Sequence, residues 1–408
     1  MSDQSAPAPL DENHEAAGRQ PVVLLLGAAN SIHTRRWATT LAEQGHRVVV
    51  ASWVSADPIP GVDLRVADGA GRVRASRGRA VWGLLTTGWW LRRQLRQVRP
   101  DVVHVHSVGT AGLLSLVLPS GTVRVVTPWG SELRTAARSR LRRWVARRVL
   151  RGANLVVPTS ASVTEEVTGR YRVPAARTAT LSWGVDDALI GSRDQVRPSA
   201  VRREFGIPEQ ATVVLSVRSA TTVYRVDEIL AAFASAARER ADLHLVVLSG
   251  LRPAEASALR SQQECLARIQ VLAAALPGRV TVVDRTLQPA QVFALMCASE
   301  VAVSVPRWDQ RSTTVLEAAL AGCRLFLADL PPYRELLADG LVAELVPEPI
   351  DTGLAARLVA AGRLGDAEQR RNRAFIEQTE SWSRQVATMR QWYGALVGTG
   401  EGPNVPHR

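Results

Sequence analysis

Short apolar runs recur along this chain and alternate with stretches of helical period. Val22 to Gly27, Arg47 to Trp53, Val102 to His106, Val123 to Thr127 and Leu155 to Pro158 form a first series. A second comprises Thr212 to Val217, Leu243 to Ser249, Val280 to Val283, Val301 to Val305, Arg324 to Ala328 and Glu344 to Val346. Most are apolar at consecutive positions, not at every second one, which suits strands buried on both faces. Helical patterns near Thr34 to Gln44 and Val226 to Arg238 supply the crossovers that parallel neighbours need. The expected class is α/β, with two doubly wound parallel sheets, one in each half.

Between Gly191 and Pro208 polar residues and two prolines interrupt the pattern, which sets the domain division. Residues 21–195 are expected to form the first domain and 196–375 the second. Residues 376–397 form a helix that braces the first domain, and 398–408 a loose tail. Residues 1–20 lack a basic start and an apolar stretch, so they are expected to be a disordered leader and not a signal peptide. No apolar run approaches the length of a membrane span. The three cysteines, Cys265, Cys297 and Cys323, are scattered. They are expected to be core thiols in a reducing cytoplasm, with neither disulfide nor metal implied.

The formal net charge is +12, and all fifty basic residues are arginine. Two stretches concentrate them, Arg72 to Arg99 with Trp82, Trp89 and Trp90, and Arg134 to Arg151. In the second, Leu141, Val145 and Val149 recur at helical spacing, with Trp144 and Leu150 extending that face. A basic amphipathic helix carrying tryptophan suits an anionic membrane surface; the plainer alternative is a solvated face. No nucleic-acid motif accompanies the charge, so nucleic acid is not an expected partner.

The turn Gly27-Ala-Ala-Asn-Ser-Ile-His-Thr34 has one glycine where a dinucleotide fingerprint needs three, and Ala51-Ser52-Trp53 offers no acid for a ribose. There is no phosphate-binding P-loop, no Asp-x-Asp and no zinc spacing. Ser304 to Cys323 is more informative. It joins an apolar run to a helix through a polar loop, with Ser312 or Thr313 suited to the cap. Backbone N–H groups of Ser312, Thr313 and Thr314 would point out of the helix start, where a phosphate can sit. Glu317, about one turn deeper, can accept from ribose hydroxyls, and Asp309 in the loop from an attached sugar. Acid pairs at this spacing arise by chance among 38 acidic residues, so the strand–loop–helix context carries the reading. The bland alternative is a solvated loop acid and a helix-start acid favoured by the dipole.

Several motifs together resemble glycosyltransferase family 4 of the GT-B fold. They are Gly27 to Trp37, Asp101-Val-Val-His-Val-His106, Thr127-Pro-Trp-Gly-Ser-Glu132, Asp309 to Gly322, and Leu327-Ala-Asp-Leu-Pro-Pro-Tyr-Arg-Glu335 with Asp339-Gly340. The resemblance spans Val22 to about Tyr393. It implies two Rossmann-like domains facing a central cleft and a retaining, metal-independent transfer of a sugar from a nucleotide-sugar to a hydroxyl acceptor, either a lipid-linked glycan or a small-molecule glycoside. No cofactor is implied beyond the donor co-substrate.

The family's acid-x7-acid motif falls on Asp309 and Glu317, with Asp in place of the commoner Glu. The resemblance implies that Glu317 holds the donor ribose and Asp309 the transferred sugar. His106 matches the histidine that contacts the reaction centre, while His104, two residues back, is expected to be a hydrogen-bonded core residue. Gly27 would let the chain approach the diphosphate. His33, Trp129 and Glu132 are expected on the acceptor side. Arg218 matches the diphosphate arginine, but the lysine that should follow is missing from Thr221 to Tyr224. Arg225 is the only nearby cation and the expected substitute. The expected catalytic set is therefore His106, Asp309 and Arg218. A nucleotide-sugar epimerase of the same architecture and a non-catalytic module for glycan assembly are the alternatives.

Overall fold

The computed structural model describes residues 20–67, 77–250 and 256–399. The expected leader and almost all of the expected tail lie outside the described residues, as do Arg72 to Ser76 of the first basic stretch. The first sheet holds β1 (Val23–Gly27), β2 (Val48–Ser52), β3 (Asp63–Val66), β4 (Val102–His106), β5 (Arg124–Thr127) and β6 (Leu155–Val156). The second holds β7 (Thr212–Ser216), β8 (Leu243–Leu248), β9 (Val280–Val283), β10 (Val301–Ser304), β11 (Arg324–Ala328) and β12 (Glu344–Val346). Their orders are β3-β2-β1-β4-β5-β6 and β12-β11-β10-β7-β8-β9, with every pairing parallel. Each is the doubly wound order, in which winding reverses between β1 and β4 in one sheet and between β7 and β10 in the other. Loops leaving the carboxyl ends of those strands diverge there and leave room for a ligand.

The central strands β1, β2, β4 and β8 are buried throughout, as continuous apolar runs require. Only β3 was not foreseen. It lies at a sheet edge, its Asp63-Leu-Arg-Val sequence alternates, and no residue in it is fully buried.

Contacts divide the chain into two compact units. The first holds residues up to 128, 132–156 and from 390 onward; the second holds 129–131 and 157–389. This differs from the expected division at 195 by the segment 157–195. That segment is tied into the second unit through Val185, whose N–H donates to Glu380 O at 2.6 Å and whose carbonyl accepts from Trp382 N at 2.8 Å. The last helix, Trp382–Thr399, contributes Arg390 onward to the first unit. There the Tyr393 hydroxyl lies 2.6 Å from Nδ1 of His104, and Nε2 lies 2.7 Å from Thr127 Oγ1. His104 is thus a core histidine with both ring nitrogens bonded. Among the described residues no helix is long and apolar enough to cross a membrane.

One buried ion pair sets the register of the two strands that matter most in the second unit. Glu300, just before β10, accepts from Val213 N of β7 at 2.9 Å and from Nη2 of Arg202 at 2.8 Å through each carboxylate oxygen. Arg202 also donates to the carbonyls of Ala298, Glu209 and Ala211. Removing one partner of such a pair leaves an uncompensated buried charge. Glu300→Ala is therefore expected to lower stability by about 3–5 kcal/mol, measured as a shift of the urea unfolding midpoint.

Candidate active site

The candidate residues of the second unit stand at the carboxyl ends of β7 and β10, where its winding reverses. Arg218 follows β7 by two residues, and its guanidinium is mostly buried. Nη2 lies 3.2 Å from Asp309 Oδ2 and donates to the Tyr224 hydroxyl at 2.8 Å. Nη1 donates to the Ser312 hydroxyl. Tyr333 donates to Asp309 Oδ2 at 2.8 Å and lies 3.0 Å from Ser304 Oγ, while Gln310 N donates to Oδ1 at 2.9 Å. Burial works against the charge on Arg218, but Asp309, Tyr224 and Tyr333 outweigh it and raise its pKa. Tyr333 is pushed well above the phenol range, by burial first and by Asp309 second, so it stays a proton donor.

Ser312 occupies the N-cap of the helix Thr313–Ala321, yet its side chain makes no cap bond. Its hydroxyl is turned to Arg218 instead. The amides at this helix start therefore have no capping side chain, which leaves them suited to an anion. Thr313 and Thr314 lie in the first turn, and Glu317, about one turn in, is half-buried. Asp309, Ser312 and Arg218 are thus assembled around one guanidinium.

Arg225 is not part of this assembly. Its guanidinium donates to Glu228 at 2.9 and 2.6 Å and to Glu348 at 2.6 and 3.0 Å. Two carboxylates neutralise it, which corrects the expectation of a substitute phosphate cation. Its backbone sits at φ 55°, at the cap of the helix Val226–Glu239, a conformation that costs a residue with a Cβ about 1–2 kcal/mol. The side chain nearest Arg218 in this stretch is Tyr224, whose ring lies under the guanidinium at 4.3 Å.

In the first unit, Gly27 and His106 are paired in register across β1 and β4. A Cβ on Gly27 would meet Thr34 Oγ1 at 3.0 Å, His106 Cβ at 3.1 Å and His106 O at 3.2 Å. The close approach needs glycine there. His106 Nδ1 lies 3.4 Å from Thr34 Oγ1. Burial, then the neighbouring His33, lowers its pKa to about 3; burial, then Arg36, lowers His33 to about 4. Glu132, on the helix Ser131–Ala137, accepts from Val108 N at 3.4 Å. Trp129 belongs to the second unit, edge-on to Trp183 at 5.8 Å.

The family model for Glycosyltransferase Family 4 matches residues 31–189. That segment of the first half is similar to the family. Searching curated proteins by sequence found no match. Among solved structures, the fold is similar to sucrose-phosphate synthase (tll1590) from Thermosynechococcus elongatus, at 18% identity and a TM-score of 0.74 over 93% of this chain and 99% of that one. It is also similar to HepE (Alr3699) from Anabaena, solved with UDP and glucose, at 15% identity and 0.69 over 92% and 100%. A third likeness is to WaaG, a glycosyltransferase of lipopolysaccharide biosynthesis, at 16% identity and 0.66 over 91% and 99%.

Sequence reasoning assigned no chemical role to Tyr333 or to Tyr224. The run Pro331-Pro-Tyr333 was visible as a helix start, but nothing in it pointed to Asp309. Among the described residues, no group of three or more His, Cys, Asp or Glu could hold a metal ion.

Neutral histidines have a measurable consequence. Their folded pKa values lie below the 6.5 of the unfolded chain, so the unfolded state binds more protons between these values. Their contribution to stability is complete above about 6.5 and is lost as pH falls toward about 3. His106→Gln is expected to flatten the acid side of the stability profile, read as urea midpoints across that window; an unchanged slope would contradict the buried neutral imidazole.

Proposed function

We propose that this protein is a retaining glycosyltransferase that moves a sugar from a nucleotide-sugar to a hydroxyl acceptor, without a metal. The carrying observation is the Arg218 guanidinium, held between Asp309 and the uncapped start of the helix Thr313–Ala321. Cleaving the anomeric C–O bond leaves negative charge on the departing diphosphate. Arg218 and the amides of Ser312 to Thr314 would receive that charge, from a partly buried site where such donors act strongly. Asp309 would orient hydroxyls of the transferred sugar and Glu317 those of the ribose. His106, neutral at physiological pH, would contact the reaction centre as a hydrogen-bonding group and not as a cation. No carboxylate is assigned as a nucleophile, so the acceptor hydroxyl would attack from the leaving-group side, assisted by the departing phosphate.

The donor is proposed to be a uridine nucleotide-sugar, because HepE was solved with UDP-glucose. The acceptor is proposed to be lipid-linked and met at an anionic membrane surface, on the cytoplasmic side. Incubation with donor alone separates transfer from epimerisation, since an epimerase would rearrange the sugar and a transferase would only hydrolyse it slowly.

Arg218→Ala and Glu317→Ala are each expected to lower turnover of the donor by about 10²–10³-fold with little change in melting temperature. Arg225→Ala should leave UDP affinity by calorimetry nearly unchanged while lowering thermal stability, because Glu348 loses its partner and Glu228 keeps only Arg307. Wild-type turnover in both of the first two variants would remove the donor-site assignment.

A further inference from the structure

We infer that the first unit carries a second anion site, a phosphate-headgroup pocket by which the protein docks on anionic phospholipid bilayers. It rests on the membrane-associated reading above and gives that reading a surface. A concavity of about 1570 Å³ is lined by seven arginines and a single carboxylate, Asp101. Arg92, Arg96 and Arg99 come from the end of the helix Arg77–Val98 and the residue after it; Arg147, Arg148 and Arg151 come from the helix Arg140–Arg151. Arg124 stands between them on β5. The Asp101 carboxylate accepts from Val22 N at 2.7 Å. Among the described residues none of the seven arginines forms an ion pair, so the lining is left strongly positive.

The pocket lies at the amino ends of strands in the first sheet. Asp101 precedes β4 and Val123 precedes β5, whereas Gly27, His106 and Thr127 close the opposite, carboxyl ends of these strands.

Both helices continue the basic stripe into an apolar one. On the first, Trp82, Leu85, Trp89, Arg92, Arg96 and Arg99 recur every three or four residues and so share one face. On the second, Leu141, Trp144, Arg148 and Arg151 do the same. The apolar members Trp82, Leu85, Trp89, Leu141 and Trp144 are 61–70% exposed. This corrects the expected single apolar face of the second helix: Val149 and Leu150 are in the core, and Leu141 and Trp144 point to solvent. The short helix Thr110–Ser115 packs against both long helices, and the partly exposed Leu113 and Leu116 lie on it or just after it.

Exposed tryptophan and leucine beside guanidinium groups match the depth profile of a bilayer, with phosphates outside and acyl chains within. Guanidinium forks grip phosphate in two-point fashion. A nucleic acid would account for the arginines and could stack on tryptophan, but it gives no use for exposed Leu85, Leu141, Leu113 and Leu116.

The test uses the full chain with vesicles of phosphatidylcholine alone and of phosphatidylcholine mixed with phosphatidylglycerol. Flotation with the mixed vesicles only, weakened by salt, is expected. Arg96→Glu combined with Arg148→Glu should weaken partitioning by on the order of tenfold or more, while donor turnover and melting temperature stay as in the wild type. Trp82→Ser with Trp89→Ser should reduce quenching of tryptophan emission by brominated acyl chains. Equal flotation with neutral vesicles, unchanged binding in the arginine variant, or binding of a short RNA with no vesicle binding would overturn the inference. Vesicle binding by an Arg218→Ala protein inactive on donor would support it, so failure of the transfer reading and failure of this one remain separate.

Discussion

A guanidinium held out of water at the end of a central strand must be matched by acceptors close at hand, since burying an unpaired charge costs several kcal/mol. Arg218 meets that demand with Asp309, the Ser312 hydroxyl and the Tyr224 hydroxyl. The demand propagates outward. Asp309 is held from its other side by Tyr333 and Gln310 N, so the loop after β10 has one orientation. Ser312 gives its hydroxyl to the guanidinium and not to the helix behind it. The amides that a phosphate would use are therefore left without a capping side chain by the same contact that fixes the arginine.

That geometry holds only while β7 and β10 keep their register, and a second charged contact secures it from the far end. Arg202 and Glu300 join the region before β10 to the start of β7, opposite the edge that carries Arg218 and Asp309. The first unit meets the equivalent need with neutral groups. His104 is bonded to Thr127 and Tyr393, and His106 and His33 are kept uncharged by burial. The two units thus share a winding order and differ at their carboxyl edges, with the Arg218–Asp309 ion pair in one and neutral imidazoles in the other.

Much of this was legible in the chain because continuous apolar runs report strands buried on both faces, and eleven of the twelve strands announced themselves in that way. β3 was silent because an edge strand with Asp63 and Arg65 alternates like a loop. The proximity of Asp309 to a helix start was also legible, since both lie within one short segment. The roles of Tyr224 and Tyr333 were not, because each depends on a partner brought close by the sheet and not by the chain. Arg225 was misjudged in part for the same reason: Glu228, three residues on, is local, but Glu348, which completes the neutralisation, lies far along the sequence. On the helix Arg140–Arg151, spacing grouped Leu141 with Val149 on one face, whereas only the second half of the helix is packed into the core and the first half is exposed.

Tyr224 in place of a cation changes what the proposed donor site can offer. A lysine beside Arg218 would leave a net positive charge after Asp309 is counted. With tyrosine, the Arg218–Asp309 pair is formally neutral, and the phenol oxygen accepts from the guanidinium while its own proton remains available to donate. In the proposed transfer the departing diphosphate would then be held by directed hydrogen bonds from Arg218, Tyr224 and the helix amides, with less long-range attraction. Such a site gains in selectivity for geometry what it gives up in pull on any anion. The arginine-lined pocket of the first unit shows the opposite arrangement, with seven arginines and one carboxylate, which suits a diffuse, multiply charged surface better than one positioned phosphate.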